Sequence, residues 1–327
     1  MSDELQVGPG IAPMDVAPDD VLLSDRLRPG PVWPGFLAAA IAFWLGVVGV
    51  GFGMVLVVRL GDDPPEAVRA SIGEPAETRS EELLIGGTGT GLALMEEAAA
   101  LFHQETGIAV RVAPSIGSAG GLSALRDGAV DLAWISRPVK PEEKPGLDVV
   151  LLAHARVVLA GGRHADPTPL LPDDVVALYM GHREAWPDGA PIVAILREPG
   201  DSGTRVFGEA VPGFAAAHQQ AYESRVWRVE LSDLAMQRAL LDCPGSVGLF
   251  DLGTIQGLKL PLAVIPVLER EGGPELKPVR PLSLVALSSS TDSRVDRFLE
   301  FVTGPDGQAL LERWGYLPAS ASTEGGP

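Results

Sequence analysis

From about Glu82 the chain alternates short apolar strands with helical stretches, and nearly every strand ends in a loop of Gly, Ser and Thr. That alternation is the tightest constraint on the fold. LLIGG (83–87) reads as a buried strand, Leu92 to Gln104 as a helix, AVRVAPS (109–115) as a strand, GLSALRDG (121–128) as a short helix and VDLAWIS (130–136) as another strand. Farther on, LPDDVVALYMG, SGTRVFGEAV and LAMQRALLDC read as helices. APIVAILRE, SVGLF and PLSLVALS read as strands, and a last helical stretch runs from Arg294 to Trp314. A β-α-β-α-β order implies an α/β fold with a parallel, doubly wound sheet covered by helices on both faces. The pattern changes character near residue 160, which suggests two lobes.

Several function classes drop out. The 327 residues carry 25 Lys plus Arg against 43 Asp plus Glu, a net charge of −18, so no basic face for nucleic acid is expected. The single Cys243 excludes an intramolecular disulfide, a CxxC pair and a Cys-cluster zinc site. The five histidines form no HExxH motif and no i,i+4 pair, which disfavours a zinc hydrolase. No metal or cofactor is expected.

Ahead of the globular part lies an uncharged apolar run, Phe36–Val58. Its ~23 residues, at ~1.5 Å each, span the ~30 Å hydrocarbon layer. It is too long for a usual signal-peptide core and no A-x-A site or Cys follows it, so an uncleaved signal anchor is expected over 35–59. Arg26 and Arg28 before the run, against Arg59 after it, favour a cytoplasmic N-terminus. Residues 1–34 read as a disordered cytoplasmic tail, 60–81 as a polar linker and 319–327 as a frayed tail. These features place the globular part at the cell membrane on a single-pass anchor, in the periplasm or outside the cell.

Four loops at strand-to-helix junctions carry the chemistry, where ligands bind in open α/β sheets. GGTGTG (86–91) offers flexible backbone and the hydroxyls of Thr88 and Thr90. It fails the G-x-G-x-x-G dinucleotide pattern and lacks the GK[ST] of a P-loop. IGSAGG (116–121) places Ser118 where it can cap the next helix. ISRP (135–138) sets Ser136 and Arg137 directly after a strand, with Arg137 a candidate guanidinium clamp. REPGDSGTR (197–205) closes a strand with Arg197, offers Asp201 as a cap and opens a helix with Ser202, Gly203 and Thr204. G-x-S-x-G is absent and no His sits at a junction, which disfavours a nucleophilic serine. Hydroxyls, helix N-termini and arginines without a general base suit capture of a tetrahedral oxyanion, not bond breaking.

In this order the loops resemble those of the phosphate-binding proteins that serve bacterial ABC transporters. The likeness covers roughly 82–318. VDLAWISRPVKPEE, LYMGHREAWPDGAPIVAILREPGDSGTRVF, CPGSVGLF and the ending FLEFVTGPDGQALLERWGYLP each match a family segment. The resemblance implies a two-lobed type II periplasmic-binding-protein fold preceded here by one transmembrane helix. Lobe one would be 82–157 and 252–318, and lobe two 158–251. It implies that the protein binds inorganic phosphate, is not an enzyme and has ABC permease subunits as partners. By position, the ligand would touch Thr88, Thr90, Ser118, Ser136, Arg197, Ser202, Gly203 and Thr204, with Arg137 an added candidate. Ser136 stands where some members carry an Asp. The alternative is a membrane-anchored oxyanion sensor or adaptor with the same fold and no dedicated permease.

Overall fold

The computed structural model describes residues 82–319. The expected tail, signal anchor, linker and C-terminal end (1–81 and 320–327) lie outside the described residues. No helix among those described is long and apolar enough to cross a membrane.

The first strands are β1 (Leu83–Gly87), β2 (Val110–Val112) and β3 (Leu132–Ile135). Helix α1 (Leu92–Thr106) links β1 to β2, and α2 (Gly117–Arg126) links β2 to β3. β1 pairs in parallel with both strands, giving the order β2-β1-β3. A βαβ crossover requires this, because a parallel return needs a helix's length of chain. A short 3-10 turn (Pro141–Glu143) then leads into β4 (Leu147–Gly161).

The second half repeats the theme. α3 (Pro172–Tyr179) precedes β5 (Val193–Arg197), followed by α4 (Ser202–Ala210) and α5 (Phe214–Ser224). Then come β6 (Arg228–Glu230), α6 (Asp233–Asp242) and β7 (Ser246–Asp251), with β5 pairing in parallel to both strands. The chain continues through α7 (Leu252–Gly257) and β8 (Ala263–Ile265) into β9 (Val279–Leu287). The last elements among the described residues are α8 (Ser293–Thr303), α9 (Pro305–Arg313) and β10 (Leu317–Pro318).

The sheet is not wholly parallel. β4 and β9 run antiparallel along a long shared ladder, β9 also pairs antiparallel with β3, and the second part of β4 pairs antiparallel with β7 and β8. The full order is β2-β1-β3-β9-β4-β7-β5-β6. Two parallel α/β halves are thus stitched by two antiparallel strands. β4 holds Asp148, His154 and Arg156 among apolar residues but no Gly or Pro before its last position, so it runs as one strand from the first half into the second. Its register shift between Leu151 and Ala153 is a bulge, which sharpens the local twist.

Each half has its own core. In the first, Leu83, Ile85, Phe102, Trp134, Leu284 and Phe298 pack together, and the Phe102 and Phe298 rings meet edge to face at 5.1 Å. In the second, Tyr179, Phe207 and Phe214 do the same, at 4.9 and 4.8 Å. A separate cluster joins Val158 and Ala160 of β4 to Leu252 and Ile255 of α7 and to Leu262. Residues 252–265, placed with lobe one on sequence, therefore pack largely on the second half. α7 also receives the turn after α9: a Cβ on Gly253 would meet the Tyr316 ring at 2.3 Å, and one on Gly257 the Trp314 ring at 2.0 Å.

Two local expectations shift. α2 starts at Gly117, four residues before the expected start, because packing outweighs the poor helix propensity of G-S-A-G-G. The final helical stretch breaks at Gly304, where Pro305 begins α9.

Candidate functional site

A cleft of about 430 Å³ lies where the loops of both halves converge. Of the residues singled out on sequence, Thr88, Ser118, Ser136, Arg137, Arg197 and Ser202 line it. Thr90, Gly203 and Thr204 are not among its lining residues.

The first half contributes a hydroxyl pair. The end of β1 turns sharply at Gly87, whose φ of 152° suits glycine and whose Cβ position is taken by the Trp134 carbonyl at 1.9 Å. That close approach lets the Thr88 N–H donate to the Trp134 carbonyl at 2.8 Å. It also brings Thr88 Oγ1 within 2.9 Å of Ser136 Oγ at the end of β3. Ser118 does not cap α2; its Oγ accepts the Ser136 N–H at 3.1 Å and ties the second loop to the third.

The second half contributes a helix N-terminus. Asp201 is the N-cap of α4, accepting the Thr204 N–H at 2.7 Å and the Thr204 hydroxyl at 3.1 Å. The Thr204 hydroxyl is thereby held by Asp201, itself a lining residue of the cleft. Ser202 Oγ lies 3.2 Å from Ser136 Oγ, so the hydroxyls of Thr88, Ser136 and Ser202 form one chain across the halves.

Arg280, absent from the sequence-based set, completes that chain. It sits near the start of β9, is 3% exposed, and its Nη1 donates to Ser202 Oγ at 2.9 Å. A Cβ on Gly203 would stand 3.1 Å from that same nitrogen, so the first turn of α4 lies close against the guanidinium. The only sequence signal was a charged residue opening an apolar strand.

The guanidinium groups are already balanced. Arg197 donates from Nε and Nη2 to Glu198 at 2.9 and 3.1 Å, and approaches Asp233 and Asp201 at 3.5 and 3.6 Å. Arg280 lies 3.9 Å from Asp201 and 3.8 Å from Asp233. Burial works against the charge on Arg197, but Asp233, Glu198 and Asp201 outweigh it and keep its pKa above the ordinary value. Burial likewise opposes ionisation of Asp201, yet Arg280, Arg197 and the Thr204 bonds hold its pKa below the usual range.

Arg137 lines the cleft, but its fork is engaged elsewhere. Nη1 and Nη2 donate to Glu143 at 2.6 and 2.8 Å, which lowers the Glu143 pKa to about 2. The 3-10 turn folds Glu143 back onto Arg137, a closure of six residues that local spacing does not advertise. Thr90 is buried too; its hydroxyl reaches Asp233 Oδ1 at 3.4 Å.

Chemically, the cleft presents aligned hydroxyls and a helix N-terminus, backed by arginines whose charge is matched by carboxylates. No histidine lines it. Such a wall grips oxygen atoms by short-range hydrogen bonds rather than by net charge.

A family model described as the PBP superfamily domain matches residues 73–293. No curated protein matches the chain in sequence. Among solved structures, the fold is similar to a Clostridium perfringens protein assigned as a phosphate ABC transporter substrate-binding protein, with bound phosphate. The TM-score is 0.59 at 21% identity, covering 72% of this chain and 99% of that one. An ABC-type phosphate transport receptor from Vibrio cholerae scores 0.48 at 20% identity, over 72% and 99% of the two chains. A reduced form of OxyR from N. meningitidis scores 0.50 at 12% identity, over 68% and 95%.

Proposed function

The chain belongs to the PBP superfamily, and on that premise we propose that it captures inorganic phosphate, or a closely related tetrahedral oxyanion, between its two halves for delivery to an ABC importer. The observation that carries this reading is the hydroxyl chain Thr88–Ser136–Ser202, drawn from three loops of both halves and terminated by Arg280. Three hydroxyls can rotate to donate to an anion, and the first turn of α4 adds backbone N–H groups without helical acceptors. Phosphate bound in the Clostridium perfringens structure of similar fold supports the choice of ion.

The role is binding without turnover. Ser202 receives Arg280 and faces Ser136, and among the described residues no carboxylate or histidine is hydrogen-bonded to its hydroxyl to take its proton. The apolar run Phe36–Val58 tethers the binding unit to the membrane, with the N-terminus in the cytoplasm and the cleft outside. A second reading, an anchored oxyanion sensor or adaptor, is favoured by the ~35 residues ahead of that run, long enough to engage a cytoplasmic partner.

The test is equilibrium dialysis of the full chain against radiolabelled phosphate, with sulfate and molybdate as competitors. Saturable phosphate binding that is weakened in Ser202→Ala is the expected result. A folded chain that ignores phosphate would overturn the importer reading, and preference for another oxyanion would favour the sensor.

A further inference from the structure

Two buried, oppositely charged side chains share one face of the sheet. β4 is their common neighbour: Ala155 is paired with Arg280 of β9, and Val157 with Asp251 of β7. Residues paired across strands share a face, and so do residues two apart along one strand. Arg280 and Asp251 therefore lie on the same face with a single strand between them. Arg280 is 3% exposed and Asp251 1%.

What their hydrogen bonds leave over is complementary. Asp251 Oδ2 accepts the Thr254 N–H at 2.8 Å, the Thr254 hydroxyl at 2.7 Å and the Tyr316 hydroxyl at 2.5 Å. Asp251 Oδ1 is buried and accepts no hydrogen bond among the described residues, and the buried Nε of Arg280 donates none. The other end of the guanidinium is occupied, with Nη1 donating to Ser202 and Asp201 and Asp233 close by. A buried acceptor and a buried donor that both lack a bond, on groups of opposite charge, attract one another. The two charges act on each other here, since Arg280 works against the burial that raises the Asp251 pKa.

We propose that Asp251 is a positioning residue for the cleft. Tyr316 and Thr254 fix its Oδ2, its Oδ1 draws the Nε end of Arg280 toward β7, and the Nη1 end is thereby turned to Ser202 and the ion. This rests on the oxyanion reading of the cleft and adds to it a support that reaches the turn after α9. Asp251→Asn cannot preserve the arrangement. Whichever way the amide lies, its NH2 group meets either Arg280 or the Thr254 and Tyr316 donors.

The test is equilibrium dialysis of radiolabelled phosphate with the full chain, in Asp251→Asn, Arg280→Lys and the double variant. Asp251→Asn should weaken phosphate about tenfold, a coupling usual among groups of one network. Arg280→Lys keeps a charge but has no Nε–H, so adding Asp251→Asn to it should weaken binding by under about twofold more. A merely structural role would cost the same in both backgrounds, and a mere countercharge would give tighter binding when removed. Either result would overturn this proposal and leave the phosphate reading standing. If Asp251→Asn does not fold, Tyr316→Phe keeps the carboxylate but loosens it, and phosphate should weaken roughly threefold. Unchanged affinity in that variant would also overturn the proposal. An unaltered chain that ignores phosphate would overturn both readings.

Discussion

The hydroxyls of Ser136 and Ser202, 66 residues apart in sequence, face each other at 3.2 Å across the cleft. One ends β3 in the first half and the other opens α4 in the second. An ion accepting from both hydroxyls would touch both halves at once, and its binding energy would also hold the halves together.

Ser136→Ala and Ser202→Ala each remove one hydrogen bond to a charged ligand. At ~1.5–3 kcal/mol per bond, phosphate affinity should fall by roughly 10- to 150-fold in each. The double variant should lose less than the sum, because the two hydroxyls share one chain. Equilibrium dialysis measures all three; unchanged affinity in both single variants would place the ion elsewhere.

Glu143→Gln releases the Arg137 fork, which already lines the cleft. Phosphate should bind severalfold more tightly, with a steeper dependence on salt, since the gain comes from an unbalanced charge. Titration at two ionic strengths checks this. Equal affinity to the unaltered chain would mean that the freed guanidinium does not reach the ion.

Acid should weaken the fold through Glu143 and Asp201. Both are held below their unfolded values, Glu143 at about 2, so their contribution is complete above about pH 5 and is lost as pH falls through the folded values. Asp251 works in the other sense. Burial raises its pKa despite the Tyr316 bond, so its favourable contribution belongs to low pH and fades as pH rises through the folded value. Urea unfolding between pH 2 and 7 should show a shallower acid limb in Glu143→Gln; an unchanged limb would show that this pair contributes nothing measurable.

Gly253→Ala would drive a methyl into the Tyr316 ring, 2.3 Å from the position its Cβ must take. Tyr316 also donates to Asp251 at 2.5 Å, which leaves the ring little freedom to retreat. Overpacking of this kind costs about 1–3 kcal/mol. Thermal unfolding should show the loss, and a melting point equal to that of the unaltered chain would mean that α7 and the C-terminal turn are loosely joined.

What the sequence disclosed was local. The Gly-Thr loop after β1 and the Asp-Ser-Gly-Thr start of α4 are strand-turn-helix junctions, read from neighbouring residues and found where expected. Ser118 was legible as part of the site but not in its contact, since α2 begins early enough to free its hydroxyl for the Ser136 N–H. Arg280 was not legible, because it reaches Ser202 from 78 residues away through the pairing of β9 with β4. The same pairing explains why a wholly parallel sheet was expected: an antiparallel partnership between distant apolar strands leaves no mark on either strand alone.

β4 and β9 lie side by side where the halves meet, with Ala155 opposite Arg280 and Arg156 opposite Val279. A paired ribbon behaves as a torsion spring rather than as a slack tether. Drawing the halves apart must flex a hydrogen-bonded ladder, and the ladder stores that work and returns it. Because Arg280 rides on the spring itself, the guanidinium that ends the hydroxyl chain stays near the pivot, where a rotation displaces atoms least. The hydroxyls farther from it would travel; that guanidinium would not.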